Sequence, residues 1–246
     1  MKIMTWNVDW FRNGKHSGKH DGAYLETDIQ DDVKQQIEKK VQDFLQKDDS
    51  IVFLQEIPDF RKCSMITGEG FKPICNMKDA NMHTVAISKD KWKDKTSDFF
   101  NKSRDYTNRI IVVEKNDVIL VGVHIPDLHR QEKNSDKEDV TKLWNRLIDF
   151  CEKHNPVAIC GDFNTYSKYD KDGKEIEQSG KLQELMKLGY CEPDGEAKSR
   201  PTFKELTHID YILVRNDLKD RVKSYKVFEK GHGLSDHEPL IIDIDI

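Results

Sequence analysis

Val157-Ala158-Ile159-Cys160-Gly161-Asp162-Phe163-Asn164-Thr165 is an apolar run that enters a glycine and then offers two polar side chains two positions apart. In an extended chain such residues share one side, as expected where a buried strand ends over a crevice. An Asp and an Asn so placed reach one phosphate, one metal or one attacking water. A solvated loop needs neither the apolar run before them nor Phe163 between them, although an ordinary strand-end turn accounts for this stretch equally well when it is taken alone. Three further places repeat the pattern: Asn7 after Ile3 and Met4, Glu56 after the run Ile51 to Leu54, and Asp236-His237 before the run Leu240 to Ile242.

Outward from that stretch the chain alternates strands and helices. Lys2 to Val8 reads as a strand with Asn7 at its far end. Residues 9 to 28, with Gly14, His16, Gly18, His20 and Gly22 scattered and little periodicity, read as a loop long enough for a substrate-facing flap. Val33, Ile37, Val41, Phe44 and Leu45 recur at helical spacing behind Asp31 and Asp32, acids that suit a helix N-terminus. Ile51 to Leu54 then forms a buried strand, Gln55-Glu56 follows, and Pro58 ends regular hydrogen bonding. Short strands come next: Phe71 to Ile74, Thr84 to Ser88, Arg109 to Val113 and Val118 to His124, with Asn116-Asp117 as a hairpin turn. Leu143, Leu147 and Phe150 mark a second covering helix and Ser179 to Leu188 a third, closed by Gly189; strands resume at His208 to Val214 and Leu240 to Ile244, with an edge strand near Val222 to Phe228. Twice the order is strand, helix, strand and hairpin strands, which predicts two sheets packed face to face with helices outside.

The 246 residues show no Pro/Gly/Ser-rich linker, so a single domain over 1–246 is expected. A formal charge of -5 gives no global field for nucleic acid and leaves only a local basic rim. The N-terminus is poor in apolar residues and no run approaches the roughly 20 of a membrane span, so a cytoplasmic monomer without membrane insertion is expected. Five scattered cysteines without a CxxC pair indicate neither a disulfide framework nor a zinc knuckle.

Asn7, Glu56, His124, Asp162, Asn164, Asp210, Asp236 and His237 each lie at a strand boundary or in an apolar flank, where an unsatisfied polar group is costly. They are oxygen and imidazole donors without a thiolate, a set that suits Mg²⁺ or Mn²⁺ better than structural zinc. His208 has no partners at zinc spacing and is read as structural or peripheral.

Six segments carry a resemblance. Thr5-Trp6-Asn7-Val8, Leu54-Gln55-Glu56, Gly122-Val123-His124-Ile125-Pro126, Gly161-Asp162-Phe163-Asn164, His208-Ile209-Asp210-Tyr211-Ile212 and Leu234-Ser235-Asp236-His237-Glu238-Pro239 stand in the order of the motifs of the endonuclease/exonuclease/phosphatase superfamily. The chain resembles that group over essentially its whole length. The resemblance implies a four-layer α/β sandwich of two mixed, mainly antiparallel sheets, with the site at the ends of the central strands. It implies Glu56 as the main Mg²⁺ ligand, with Asn7 and Asp236 completing the metal site. Asp162 and Asn164 would position the water or the phosphate oxygens, and His237, held by Asp210, would act on the nucleophile or transition state. His124 would bind the scissile phosphate, and Arg109 would reach it through a bidentate contact. His83, Met82 and Asn81 fall where relatives place substrate-contacting residues. Relatives resembling exonuclease III tend to carry tyrosine where this chain has His124, the charged run 127 to 139 offers no membrane-facing hairpin, and the late basic residues are balanced by acids. A nuclease or phosphodiesterase acting on DNA or RNA is the resulting expectation. A phosphatase, a small-molecule phosphodiesterase or a non-catalytic binding scaffold of the same fold are the alternatives.

Overall fold

The computed structural model describes residues 1–12, 29–58, 70–75, 83–100, 106, 108–128, 134–165 and 178–246. Most of the expected flap, residues 13 to 28, lies outside them, as do Met82, Asn81 and residues 166 to 177.

Strands β1 (Lys2–Asn7), β2 (Ser50–Ile57), β3 (Lys72–Cys75), β4 (His83–Ser88), β11 (Val222–Val227) and β12 (Leu240–Ile244) form one sheet in the order β11-β12-β1-β2-β4-β3. Strands β5 (Lys93–Asp94), β6 (Ile110–Lys115), β7 (Val118–His124), β8 (Ala158–Asp162), β9 (Tyr190–Cys191) and β10 (Asp210–Arg215) form the other, in the order β5-β6-β7-β8-β10-β9. Each sheet has one parallel pair at its centre, β1 with β2 and β7 with β8, and every other pairing is antiparallel. Parallel neighbours need a crossover. Helix α1 (Asp31–Leu45) supplies it in the first sheet and α3 (Asn134–His154) in the second; the one-turn α2 (Thr96–Phe100) and α4 (Ser179–Lys187) join the outer layer.

Three apolar clusters account for four layers. Val33, Ile37, Val41, Phe44 and Leu45 of α1 pack on Met4, Val52, Leu54 and Val85 of the first sheet. Phe53, Ile111, Leu120, Cys160, Ile212 and Ile242 fill the space between the sheets. Val140, Leu143, Trp144, Leu147 and Phe150 of α3, together with Leu182 and Leu185 of α4, cover Val121, Val123, Ile159 and Leu213. The near-continuous apolar runs of the central strands, such as Ile51 to Leu54 and Ala158 to Cys160, follow from this, since both of their faces are covered. The expected four-layer α/β sandwich, two mixed and mainly antiparallel sheets with helices outside, is the observed one.

Details of the boundaries differ from the sequence reading. β2 runs on through Gln55 and Glu56 to Ile57, because the register against β4 slips between Leu54 and Ile57 and Glu56 takes φ 56°. That bulge keeps the strand going while turning the Glu56 side chain out of the pleat. β10 starts at Asp210 rather than His208. The Asn116-Asp117 turn has φ 49° and 64°, the left-handed pair that a two-residue hairpin demands even without glycine. Gly161 is required at its place: a Cβ there would lie 1.9 Å from the Val123 carbonyl oxygen.

Candidate active site

The four central strands finish at one crevice. β1 ends on Asn7, β2 on Glu56 and Ile57, β7 on His124 and β8 on Asp162. Open α/β sheets bind ligands just beyond such carboxyl ends.

Asp162 sits at the centre. Its Oδ2 accepts hydrogen bonds from Asn7 Nδ2 at 3.0 Å and Asn164 Nδ2 at 3.1 Å, and its Oδ1 accepts the Asn164 backbone N–H at 2.9 Å. The Nε2 atoms of His124 and His237 lie 3.9 Å and 4.0 Å from the same Oδ2. Glu56 Oε1 accepts from Asn7 Nδ2 at 3.3 Å and stands 3.5 Å from His124 Nε2. Among the described residues two sets of donors converge closely enough to hold a cation, Glu56 with His124 and Asp162, and Asp162 with Asp210 and His237.

The two imidazoles are held in opposite states. Burial pulls His124 well below the usual histidine range, and the Arg109 guanidinium, whose Nη1 is 2.6 Å from Nδ1, pulls it further. The same Nη1 lies 3.1 Å from Nε2, so the neutral ring accepts from Arg109 while its Nε2 edge also faces Glu56 and Asp162. Burial also works against the charge on His237. There Asp210, whose Oδ2 accepts the Nδ1 proton at 2.9 Å, wins together with Asp162 and Asp236 and pushes the imidazole up to about 10.

Both carboxyls of the first set are raised. Burial is the main cause for Glu56, with Asp9 adding to it. Burial and then Asp210 push Asp162 to about 7. Buried acids crowded together fit a site that holds a divalent cation, and the oxygen and imidazole chemistry of the donors fits Mg²⁺ or Mn²⁺.

Backbone and hydroxyl groups fix these side chains. The Asp9 N–H donates to Asn7 Oδ1 at 3.0 Å, which leaves the Asn7 amino group facing Glu56 and Asp162. Ser235 Oγ donates to the Asn7 carbonyl at 2.8 Å and accepts the His237 N–H at 3.1 Å. Thr202 Oγ1 accepts the backbone N–H of both Ile209 and Asp210 at 3.0 Å. Asp210 pairs with Asp162 across β10 and β8, and Asn164, at φ 46°, also donates to the Ile125 carbonyl at 2.9 Å.

Of the residues singled out in the sequence, Asn7, Glu56, His124, Asp162, Asn164, Asp210 and His237 meet here, and Arg109 backs His124. Asp236 stands at the edge, outside both convergent sets, with its Oδ1 3.8 Å from His237 Nε2 and its Oδ2 3.8 Å from Lys204 Nζ. His83 opens β4 and is buried. His208 is apart from the crevice, its Nε2 2.8 Å from Glu192 and its Nδ1 2.6 Å from the Arg200 carbonyl, as a structural histidine would be.

Asp9 is the residue that the sequence reading missed. It is buried, its charge is felt by Glu56, and it is ion-paired with Arg12 at 2.5 Å. Asp9, Trp10 and Phe11 take φ 42°, 53° and 61°, three consecutive left-handed residues without a glycine. Each such residue costs roughly 1–2 kcal/mol, so the turn persists only because its surroundings over-determine it. The signal was available: Asp9 stands two positions after Asn7, the same spacing that drew attention to Asp162 and Asn164.

The family model described as "Endonuclease/Exonuclease/phosphatase family" matches residues 4–237. No curated protein matches the chain. Among solved structures, the chain is similar to a 3′ phosphatase, a variant of NExo from Neisseria bound to a product DNA hairpin, at 18% identity and a TM-score of 0.70. It is similar also to the 3′-5′ exonuclease NExo from Neisseria meningitidis, at 19% and 0.69, and to an AP endonuclease from Archaeoglobus fulgidus, at 16% and 0.71. In all three cases 100% of both chains is covered, and at these identities the likeness is one of fold.

Proposed function

The chain belongs to the endonuclease/exonuclease/phosphatase family and is a metal-dependent phosphoester hydrolase, and on that premise we propose that it is a Mg²⁺-dependent phosphodiesterase, an endo- or exonuclease that hydrolyses nucleic-acid phosphodiester bonds. The observation that carries the reading is the placing of one carboxylate, Asp162, between a neutral imidazole and a charged one.

Glu56 would hold the divalent cation with Asp162 beside it, Asn7 setting the direction of both carboxylates and Asp236 extending the set. When bound, the ion neutralises charge on the phosphate oxygens and acidifies a water. Asp162 and Asn164 would orient the attacking water, and the Asp162 carboxylate, with burial and Asp210 raising its proton affinity, would receive the proton. The His237 imidazolium, fixed by Asp210, would face the charge that builds on the phosphoryl oxygens, and neutral His124 would contact the phosphate from the other side. Burial, with Arg109 adding to it, keeps His124 neutral, and Arg109 would add a guanidinium to the same phosphate.

The test is product release from bis-p-nitrophenyl phosphate and from plasmid DNA with Mg²⁺ or Mn²⁺, against an EDTA control. Metal-dependent hydrolysis of both is expected. Activity that survives EDTA overturns the reading, and hydrolysis of monoesters alone moves it to the phosphatase alternative.

A further inference from the structure

Beside His237 a two-residue turn projects from the chain. Lys204 and Glu205 take φ 49° and 55°, and the Leu206 N–H closes the turn on the Phe203 carbonyl at 3.0 Å. Non-glycine residues at both left-handed positions make this a strained way to turn a corner, of the kind retained at functional sites. The turn is also clamped to the catalytic segment. Phe203 bridges to His237, with ring centroids 4.7 Å apart, the Lys204 N–H donates to the Asp236 carbonyl at 2.8 Å, and the Glu238 N–H donates to the Thr202 carbonyl at 2.7 Å.

This geometry fixes where the ammonium of Lys204 stands. Nζ lies over the Phe203 ring, 4.7 Å from its centroid, and 3.8 Å from Asp236 Oδ2, while Asp236 Oδ1 is 3.8 Å from His237 Nε2. One carboxylate therefore separates the cation from the imidazole. Glu205 points away toward His232, 4.0 Å from its Nε2. With the Lys204 side chain 42% exposed, its pair with Asp236 contributes little to stability, so an incoming anion recruits the lysine at small cost. Next along the turn, Leu206 is the most exposed large apolar side chain among the described residues, at 78%, and has no part in the core.

We infer that Lys204 binds the phosphate adjacent to the one being cleaved, so that the substrate is a strand with consecutive phosphates rather than an isolated diester. This rests on the phosphodiesterase reading above. The cation is placed to meet a second anion just beyond the His237 side of the reacting centre, and Leu206 lies where the sugar or base between the two phosphates would pass. Lys204 is thus a substrate-binding residue that selects for polymer and takes no part in the proton transfers.

The experiment compares parent, Lys204→Gln and Lys204→Arg on a labelled single-stranded oligonucleotide and on bis-p-nitrophenyl phosphate with Mg²⁺, across a salt series. Lys204→Gly, which the left-handed backbone favours, removes the same charge without endangering the turn. With Gln or Gly, the oligonucleotide KM should rise about tenfold while kcat stays within about threefold, and the slope of log KM against log salt should fall by about one. Arginine should restore most of the loss, and the KM for the small diester should rise several-fold less. An equal rise on both substrates, an unchanged salt slope or a loss confined to kcat overturns the inference. A parent protein that hydrolyses neither substrate refutes the phosphodiesterase reading itself, a result distinct from any shown by the variants.

Discussion

His124 and His237 flank the same carboxylate and both are buried, yet burial, helped by the Arg109 guanidinium, keeps the first neutral, while the Asp210 carboxylate behind the second holds it charged. Burial alone would leave both neutral. The charge of His237 is thus set by its rear partner, Asp210, on the nitrogen turned from Asp162, while at His124 Arg109 only adds to what burial already does. The crevice is divided accordingly into a half with a neutral imidazole and a half with a charged one.

Removing the rear partner of the charged half should have the largest effect. Asp210→Asn and His237→Ala are each expected to lower turnover of a small diester by at least about a hundredfold, and the double variant should be scarcely worse than the weaker single. Additive losses would mean that the two act separately, and near-normal turnover of His237→Ala would remove this imidazole from the reaction. The effect of Glu56→Gln, on the neutral half, should be next in size. Calorimetry should show Mg²⁺ binding weakened roughly tenfold or more with the fold intact, and unchanged affinity would deny Glu56 its place.

A smaller effect is expected for Arg109→Gln. The loss of one charge-assisted hydrogen bond, about 1.5 kcal/mol, predicts about a tenfold fall in kcat/KM. More telling is the ring itself: by NMR the His124 midpoint should move upward, because one of the causes holding it down is gone. A midpoint that stays in place would leave burial to hold the ring neutral without help from Arg109, and the guanidinium would lose its part in the contrast.

The smallest effect lies in stability. Asp162 has a folded pKa of about 7 against 3.8 as its ordinary value, so the metal-free fold is penalised as pH rises above 3.8, and the penalty is complete above about 7. His237 works the other way: its contribution is full below 6.5 and is lost as pH rises through about 10. In EDTA at pH about 8, Asp162→Asn should therefore unfold at higher urea than the parent, by ~1 kcal/mol, while turnover collapses. A destabilised Asp162→Asn would show that its hydrogen bonds outweigh its charge.

Much of this was legible in the sequence because period and polarity are local. The apolar alternation of Ile3 to Asn7, the helical spacing of Val33 to Leu45 and the glycine before Asp162 each announce an element and its end. What stayed hidden depends on backbone geometry that no residue type signals. Glu56 reaches the crevice through a bulge without glycine, and Asp9 through a left-handed turn built on Trp10 and Phe11, both among the last residues to be expected there. The neutral state of His124 was hidden as well, since it depends on burial and on Arg109, 15 positions away, whereas the Asp210 partner of His237 was expected.

The pairing of β1 has a consequence for how the chain is made. β1 lies inside its sheet, parallel to β2 on one side and antiparallel to β12 on the other, and β12 is the last strand in the sequence. During synthesis the β12 side of β1 remains an open edge while the whole of the second sheet, residues 93 to 215, is produced. An apolar strand with an unpaired edge is a template for other chains. The nascent protein is therefore most exposed to aggregation through the strand that carries Asn7, until Leu240 to Ile244 arrive and close it.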